Sequence, residues 1–146
     1  MLSALLQSWR FWVLLSALFA ALTAILAKVG VTGVAPDVAT FVRTVVILAL
    51  TGAILFATGQ ATGLATIPGR SAGFLVASGL ATGASWLCYF RALALGDAAR
   101  VAPLDKLSVV LVAILGVILL GESLSVPNWI GVALIAAGAV LVAYRG

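Results

Sequence analysis

The sequence predicts an all-α integral membrane protein, a bundle of five transmembrane helices, from its composition and from the spacing of its apolar stretches. Of its 146 residues, 64% are hydrophobic and 8% are charged, and the mean hydropathy is +1.31. A soluble chain of this size needs far more charge to cover its surface, and could not bury so many apolar side chains in one core. Lipid is therefore the solvent for most of the chain.

Five apolar stretches each approach the roughly 20 residues that a helix needs to cross a bilayer. They cover residues 9–28, 38–58, 71–95, 101–120 and 126–144. Glycine, proline and charged residues separate them, and the loops between them are short. We therefore expect a single transmembrane domain over residues 1–146, with its two termini on opposite sides of the membrane.

The polar residues are few, and their pattern excludes several classes of function. The 8 Lys and Arg residues are scattered singly among 4 Asp and Glu, which argues against nucleic-acid binding. With no histidine and one cysteine, Cys88, the sequence predicts no internal disulfide and no metal site. It has no Ser–His pair and no phosphate-binding loop, so we expect no enzyme, no nucleotide hydrolysis and no cofactor.

The third stretch carries a row of hydroxyl groups. Ser78, Thr82, Ser85 and Tyr89 are spaced by four, three and four residues, which places them on one helical face. They are candidates for the wall of a substrate path. Close helix–helix packing explains the same pattern, since small and hydroxyl residues let backbones approach. Both interpretations predict that this face points into the bundle.

Charged residues inside the apolar stretches are a second set of candidates for the path. Asp105 and Lys106 follow Pro103 near the start of the fourth stretch. If Pro103 opens the helix there, the two charges face a cavity, with Arg91 or Arg43 as possible partners of Asp105. The alternative is that the helix dipole favours Asp105, that Lys106 snorkels to the headgroups, and that Arg43 marks the membrane interface.

Trp86, Tyr89 and Phe90 form an aromatic cluster late in the third stretch. Position favours an aromatic belt at the membrane interface. The alternative is a site for an apolar or cationic ligand.

The C-terminal half resembles a known family. Residues 89–104, YFRALALGDAARVAPL, are similar to the junction of the third and fourth spans in EamA domains of the drug/metabolite transporter superfamily. The pair Gly121-Glu122, followed by a last helix with Gly131 and Gly138, resembles that family's most recognisable motif. These residues are structural, and they say little about the substrate.

The resemblance implies a transporter or exporter of a small metabolite or drug-like solute, working by alternating access in the plasma or inner membrane. Most relatives contain two five-span units in inverted orientation, with the path between them, whereas this chain supplies one. We therefore expect a homodimer or a pairing with a second five-span chain. The alternatives are a non-transporting membrane subunit that stabilises a partner, and a channel, although no span shows a ring of charge.

Glu122 lies outside the apolar stretches, at the turn before the last one. A carboxylate there can accept hydrogen bonds from the free amides that open the next helix. We therefore predict that Glu122 is a structural cap and not a proton carrier.

Overall fold

The computed structural model describes residues 7–144, which form six α-helices and one 3₁₀ helix. They are α1 Trp9–Gly30, α2 Pro36–Ala57, the 3₁₀ helix Gln60–Thr66, α3 Gly69–Leu95, α4 Ala98–Asp105, α5 Leu107–Leu120 and α6 Val126–Ala143. Five segments are long and apolar enough to cross a bilayer, the fourth being α4 and α5 together. The predicted all-α membrane fold with five spans is confirmed.

Local sequence explains where several helices begin and end. Pro36 opens α2, and Pro127 lies in the first turn of α6, where a missing amide donor costs no helical hydrogen bond. Ser125 occupies the N-cap position of α6. Gly121 ends α5 with φ at +69°, a left-handed conformation that glycine adopts without a steric penalty.

The fourth span differs from the single helix expected over 101–120. Pro103 lies inside α4, and the amide of Lys106 donates to the carbonyl of Pro103, three residues back, at 3.0 Å. Regular α-helix resumes at Leu107. Asp105 therefore ends α4 and directly precedes Lys106, the N-cap residue of α5, so it does lie next to a helix N-terminus.

Two compact units form within the chain. In the unit Val29–Ala94, the backbones of α2 and α3 do not approach closely, and the two helices meet through long side chains. The other unit holds the described residues up to Lys28 and from Leu95 onward. There α4 and α5 pack closely against α6, and the ammonium of Lys28 donates to the carbonyl of Gly96 at 2.8 Å.

Little of the described chain is shielded from its surroundings. Within residues 7–144 the buried residues are Ala24, Ala27, Val31, Thr40, Phe90, Leu93, Gly116 and Ala139. Large apolar side chains are exposed along every span. Such a chain is stable only where lipid or another protein covers these faces.

Candidate functional site

A positive charge stacked on aromatic rings joins α2 to α3. The guanidinium carbon of Arg43 lies 4.2 Å from the ring centroid of Trp86 and 5.5 Å from that of Phe90. The two rings are four residues apart on α3 and so share a face. Tyr89 interacts electrostatically with the same guanidinium. The aromatic cluster therefore makes cation–π contacts with an arginine of the same chain.

An ion pair joins the same two helices nearer the membrane surface. Arg91 Nη2 donates to both carboxylate oxygens of Asp37, at 3.0 and 3.1 Å. The two side chains are 60% and 61% exposed. Arg91, one of the two possible partners named for Asp105, is thus paired with Asp37 within its own unit. Sequence reasoning missed Asp37, although α2 begins and α3 ends on one side of the membrane, where opposite charges meet.

The two contacts lie at different depths. With a rise of 1.5 Å per residue, Arg43 is about 10 Å along α2 from its first residue. On α3, Trp86 is about 13 Å and Phe90 about 7 Å from the C-terminal residue. Arg43 thus lies roughly a third of the way across the ~30 Å hydrocarbon core, while Asp37 remains at its edge.

Most of the hydroxyl-bearing residues of α3 are exposed, although the sequence predicts a face that points into the bundle. Ser78, Thr82 and Ser85 are exposed, and only Tyr89 is partly buried. The Thr82 hydroxyl donates to the carbonyl of Ser78 at 2.9 Å, one turn back. That bond satisfies the donor in an apolar solvent without a neighbouring helix. Within the unit Val29–Ala94 this face is not buried.

Asp105 and Lys106 pair with each other at the break between α4 and α5. The ammonium lies 3.5 Å from Asp105 Oδ2, and the side chains of Lys106 and Asp105 are 56% and 39% exposed. Asp105, for which Arg43 was a possible partner, is thus paired with its chain neighbour. The break holds two opposite charges in a span whose following segment, α5, is apolar apart from Ser108.

Glu122 folds back over α5 and not forward onto α6. Its Oε2 lies 2.6 Å from the position that a Cβ would take at the buried Gly116, and its amide donates to the Gly116 carbonyl at 3.2 Å. Ser125 holds the N-cap position of α6, and its hydroxyl donates to Asn128 Oδ1 at 2.8 Å. The prediction that Glu122 caps α6 is wrong, and sequence reasoning missed Gly116.

The glycines of the last helix have open surroundings. A Cβ at Gly131 or Gly138 would meet no heavy atom within 4 Å among the described residues. No close backbone approach within this chain therefore requires them.

Comparisons with known proteins agree with the membrane fold. A family model described as the EamA-like transporter family matches residues 7–144. A protein of Sinorhizobium sp., named as an uncharacterized transporter in the cobO 3′ region, is 67% identical over 137 residues. The matched region covers 94% of this chain and 97% of that relative. No solved structure matches the chain.

Proposed function

Because the chain belongs to the EamA-like transporter family, we propose that it moves a small organic solute by alternating access, as a dimer with the path between its two chains. The chain contains no phosphate-binding loop. A gradient of the solute or of a coupled ion therefore drives transport. The dimer works in the plasma or inner membrane of the cell.

The interrupted fourth span is the observation that carries this proposal. Discontinuous spans place backbone polar groups and charges at membrane depth, and transporters build substrate and ion sites there. Here the interruption coincides with Asp105 and Lys106, next to the apolar segment α5. An ionisable residue inside a span costs free energy and so favours a functional role. Asp105 is the residue we assign to ion coupling.

Sparse burial supports the dimer. A solute path must be shielded from lipid, and the described chain encloses few residues of its own. Small and hydroxyl residues on the exposed face of α3 suit close approach by a second chain. The Sinorhizobium relative, of which the matched region covers 97%, is likewise the length of one five-span unit.

Solute flux through purified protein in liposomes tests the proposal. Vesicles are loaded with a small-molecule extract of bacterial cells, and solutes that leave are identified by mass spectrometry against protein-free vesicles. We expect one or more organic solutes to leave only the protein-containing vesicles. If none does, the chain is the non-transporting subunit that the sequence left as an alternative.

Two matched substitutions test the assignment of Asp105. Asp105→Asn removes the charge at the interruption, whereas Asp97→Asn makes the same change at the N-cap position of α4. Asparagine is as good an N-cap as aspartate, so the second variant keeps the helix start. We expect Asp105→Asn to slow flux about tenfold or more, a loss typical of a proton-transfer group, and Asp97→Asn to leave flux unchanged. Equal effects would remove Asp105 from the mechanism.

A further inference from the structure

No acidic side chain of its own unit balances the charge of Arg43. Within Val29–Ala94 it makes no ion pair and no hydrogen bond, its guanidinium lies over the rings of Trp86 and Phe90, and Tyr89 acts on it electrostatically. By contrast, Arg91 is paired with Asp37, and Lys106 with Asp105. A guanidinium carries five N–H donors, so Arg43 brings a full set of donors to membrane depth without an acceptor.

The stack leaves those donors available. The guanidinium carbon lies over the Trp86 ring at 4.2 Å, and a cation–π contact of this kind does not use the N–H groups as hydrogen-bond donors to an oxygen. An arginine held in this way can still donate two parallel hydrogen bonds to an oxyanion. Trp86 therefore holds the guanidinium in place, and the N–H donors of the guanidinium remain unused.

The position of the guanidinium argues against simple snorkelling. A helical side chain leans toward the N-terminus of its helix, which for α2 is the nearer membrane surface. A snorkelling Arg43 would come closest to the ring nearer that surface, which is Phe90. The guanidinium lies closer to Trp86, the deeper ring.

We propose that Arg43 binds the anionic group of the transported solute, so that the substrate class is a small organic anion bearing a carboxylate or phosphate. This inference rests on the proposed transport function and names its substrate class. An organic cation is disfavoured, because it would have to displace a covalently attached cation from Trp86. A lipid phosphate offers the same oxyanion chemistry as a soluble solute, and the choice of vesicle distinguishes the two.

Quenching of Trp86 fluorescence tests the proposal directly. Trp9, Trp12 and Trp129 are replaced by Phe, which leaves Trp86 as the only tryptophan. The probes are 4-bromobenzoate, its neutral amide, and the cation 4-bromobenzylammonium, in phosphatidylcholine vesicles at constant ionic strength. We expect saturable quenching by the benzoate alone, relieved by unlabelled benzoate and by inorganic phosphate.

Substitutions identify the binding group. Hydrogen bonds to a charged group are strong enough that Arg43→Gln should weaken benzoate binding about ten- to a hundredfold. Arg43→Lys keeps the charge but loses the planar fork, so we expect a smaller loss. Arg10, whose Trp9 neighbour is already Phe in this background, is the control for loss of a positive charge elsewhere, and Arg10→Gln should leave binding unchanged.

Three results would overturn the inference: saturable quenching by the cation, equal quenching by the benzoate and its amide, or unchanged binding in Arg43→Gln. If Arg43→Gln does not fold, quenching by the three probes is compared between the parent protein and Arg43→Lys, and that comparison tests the inference. A fourth contrary result is quenching that responds to added phosphatidylglycerol but never to soluble anions. Solute flux without anion binding would leave the transport proposal standing and remove this one. Anion binding without flux would remove the transport proposal and leave Arg43 as an anion-binding residue of a non-transporting protein.

Discussion

The contact between Glu122 and Gly116 yields a quantitative prediction about stability. Gly116 lies inside α5, where alanine is favoured over glycine by about 0.8–1.0 kcal/mol when space allows. The Cβ of Gly116→Ala would lie 2.6 Å from Glu122 Oε2, and ordinary contact begins near 3.4 Å. The carboxylate must therefore withdraw from the helix.

The two effects nearly cancel. Overpacking costs about 1–3 kcal/mol in a rigid core, and the end of a flexible side chain takes the low end of that range. We therefore expect Gly116→Ala to leave the free energy of unfolding unchanged to within about 0.5 kcal/mol. In a Glu122→Ala background, Gly116→Ala should raise the free energy of unfolding by about 1 kcal/mol, because the Glu122 carboxylate no longer obstructs the new Cβ. The coupling between the two positions is then about 1 kcal/mol.

Reversible unfolding by dodecyl sulfate in mixed micelles, followed by circular dichroism, measures these free energies. Glu122→Gln keeps the shape of the side chain, so Gly116→Ala should behave there as in the parent protein. Gly52→Ala, at a helical position with no heavy atom within 4 Å, should stabilise by about 1 kcal/mol in every background. The same effect of Gly116→Ala in all three backgrounds would refute the reasoning.

Four further features can each be tested separately: the span count, the end of α5, the surface ion pair and the hydroxyl face. Reporter tags on the two ends should show opposite accessibility, and equal accessibility would contradict five crossings. Gly121→Ala should lower stability by about 1–2 kcal/mol, the cost of a left-handed alanine, and an unchanged dodecyl sulfate midpoint would contradict that conformation. Asp37→Arg with Arg91→Asp should recover most of the ~0.2–1 kcal/mol that either single reversal loses, and no recovery would show that the pair contributes nothing. In a cysteine-free background, Thr82→Cys should react more slowly with a lipid-soluble maleimide than Leu75→Cys, because the dimer covers Thr82, and equal rates would reject that face as the dimer contact.

Apolar length and turn residues were enough to predict the membrane fold. Each expected stretch coincides with an observed span to within a few residues, because crossing the bilayer fixes the length of a helix. Pro36 and Gly121 mark boundaries that follow from backbone chemistry alone. The interruption at Lys106 did not follow from apolar length, since the window around it remains apolar on both sides.

The candidate site was only partly predictable, because pairing depends on which helix ends share a membrane surface. Arg91 is recognisable from the sequence as a charge near a span end, but no pattern in the sequence identifies Asp37 as its partner. Arg43 and the aromatic cluster were noted separately, and only the structure brings the guanidinium over Trp86. The proposed dimer contact at Ser78 involves a second chain, and no pattern within one sequence specifies such a contact.

The central claim is that two chains together form a path for a solute. Reconstitution at decreasing ratios of protein to lipid tests it, with the released fraction of a vesicle-trapped bacterial small-molecule extract measured by mass spectrometry. At low ratios of protein to lipid, we expect the transport-competent fraction of vesicles to rise with the square of the mean number of chains per vesicle. A linear rise would show that a single chain transports, and no release at any ratio would show that the chain alone does not transport. Either result would contradict the account.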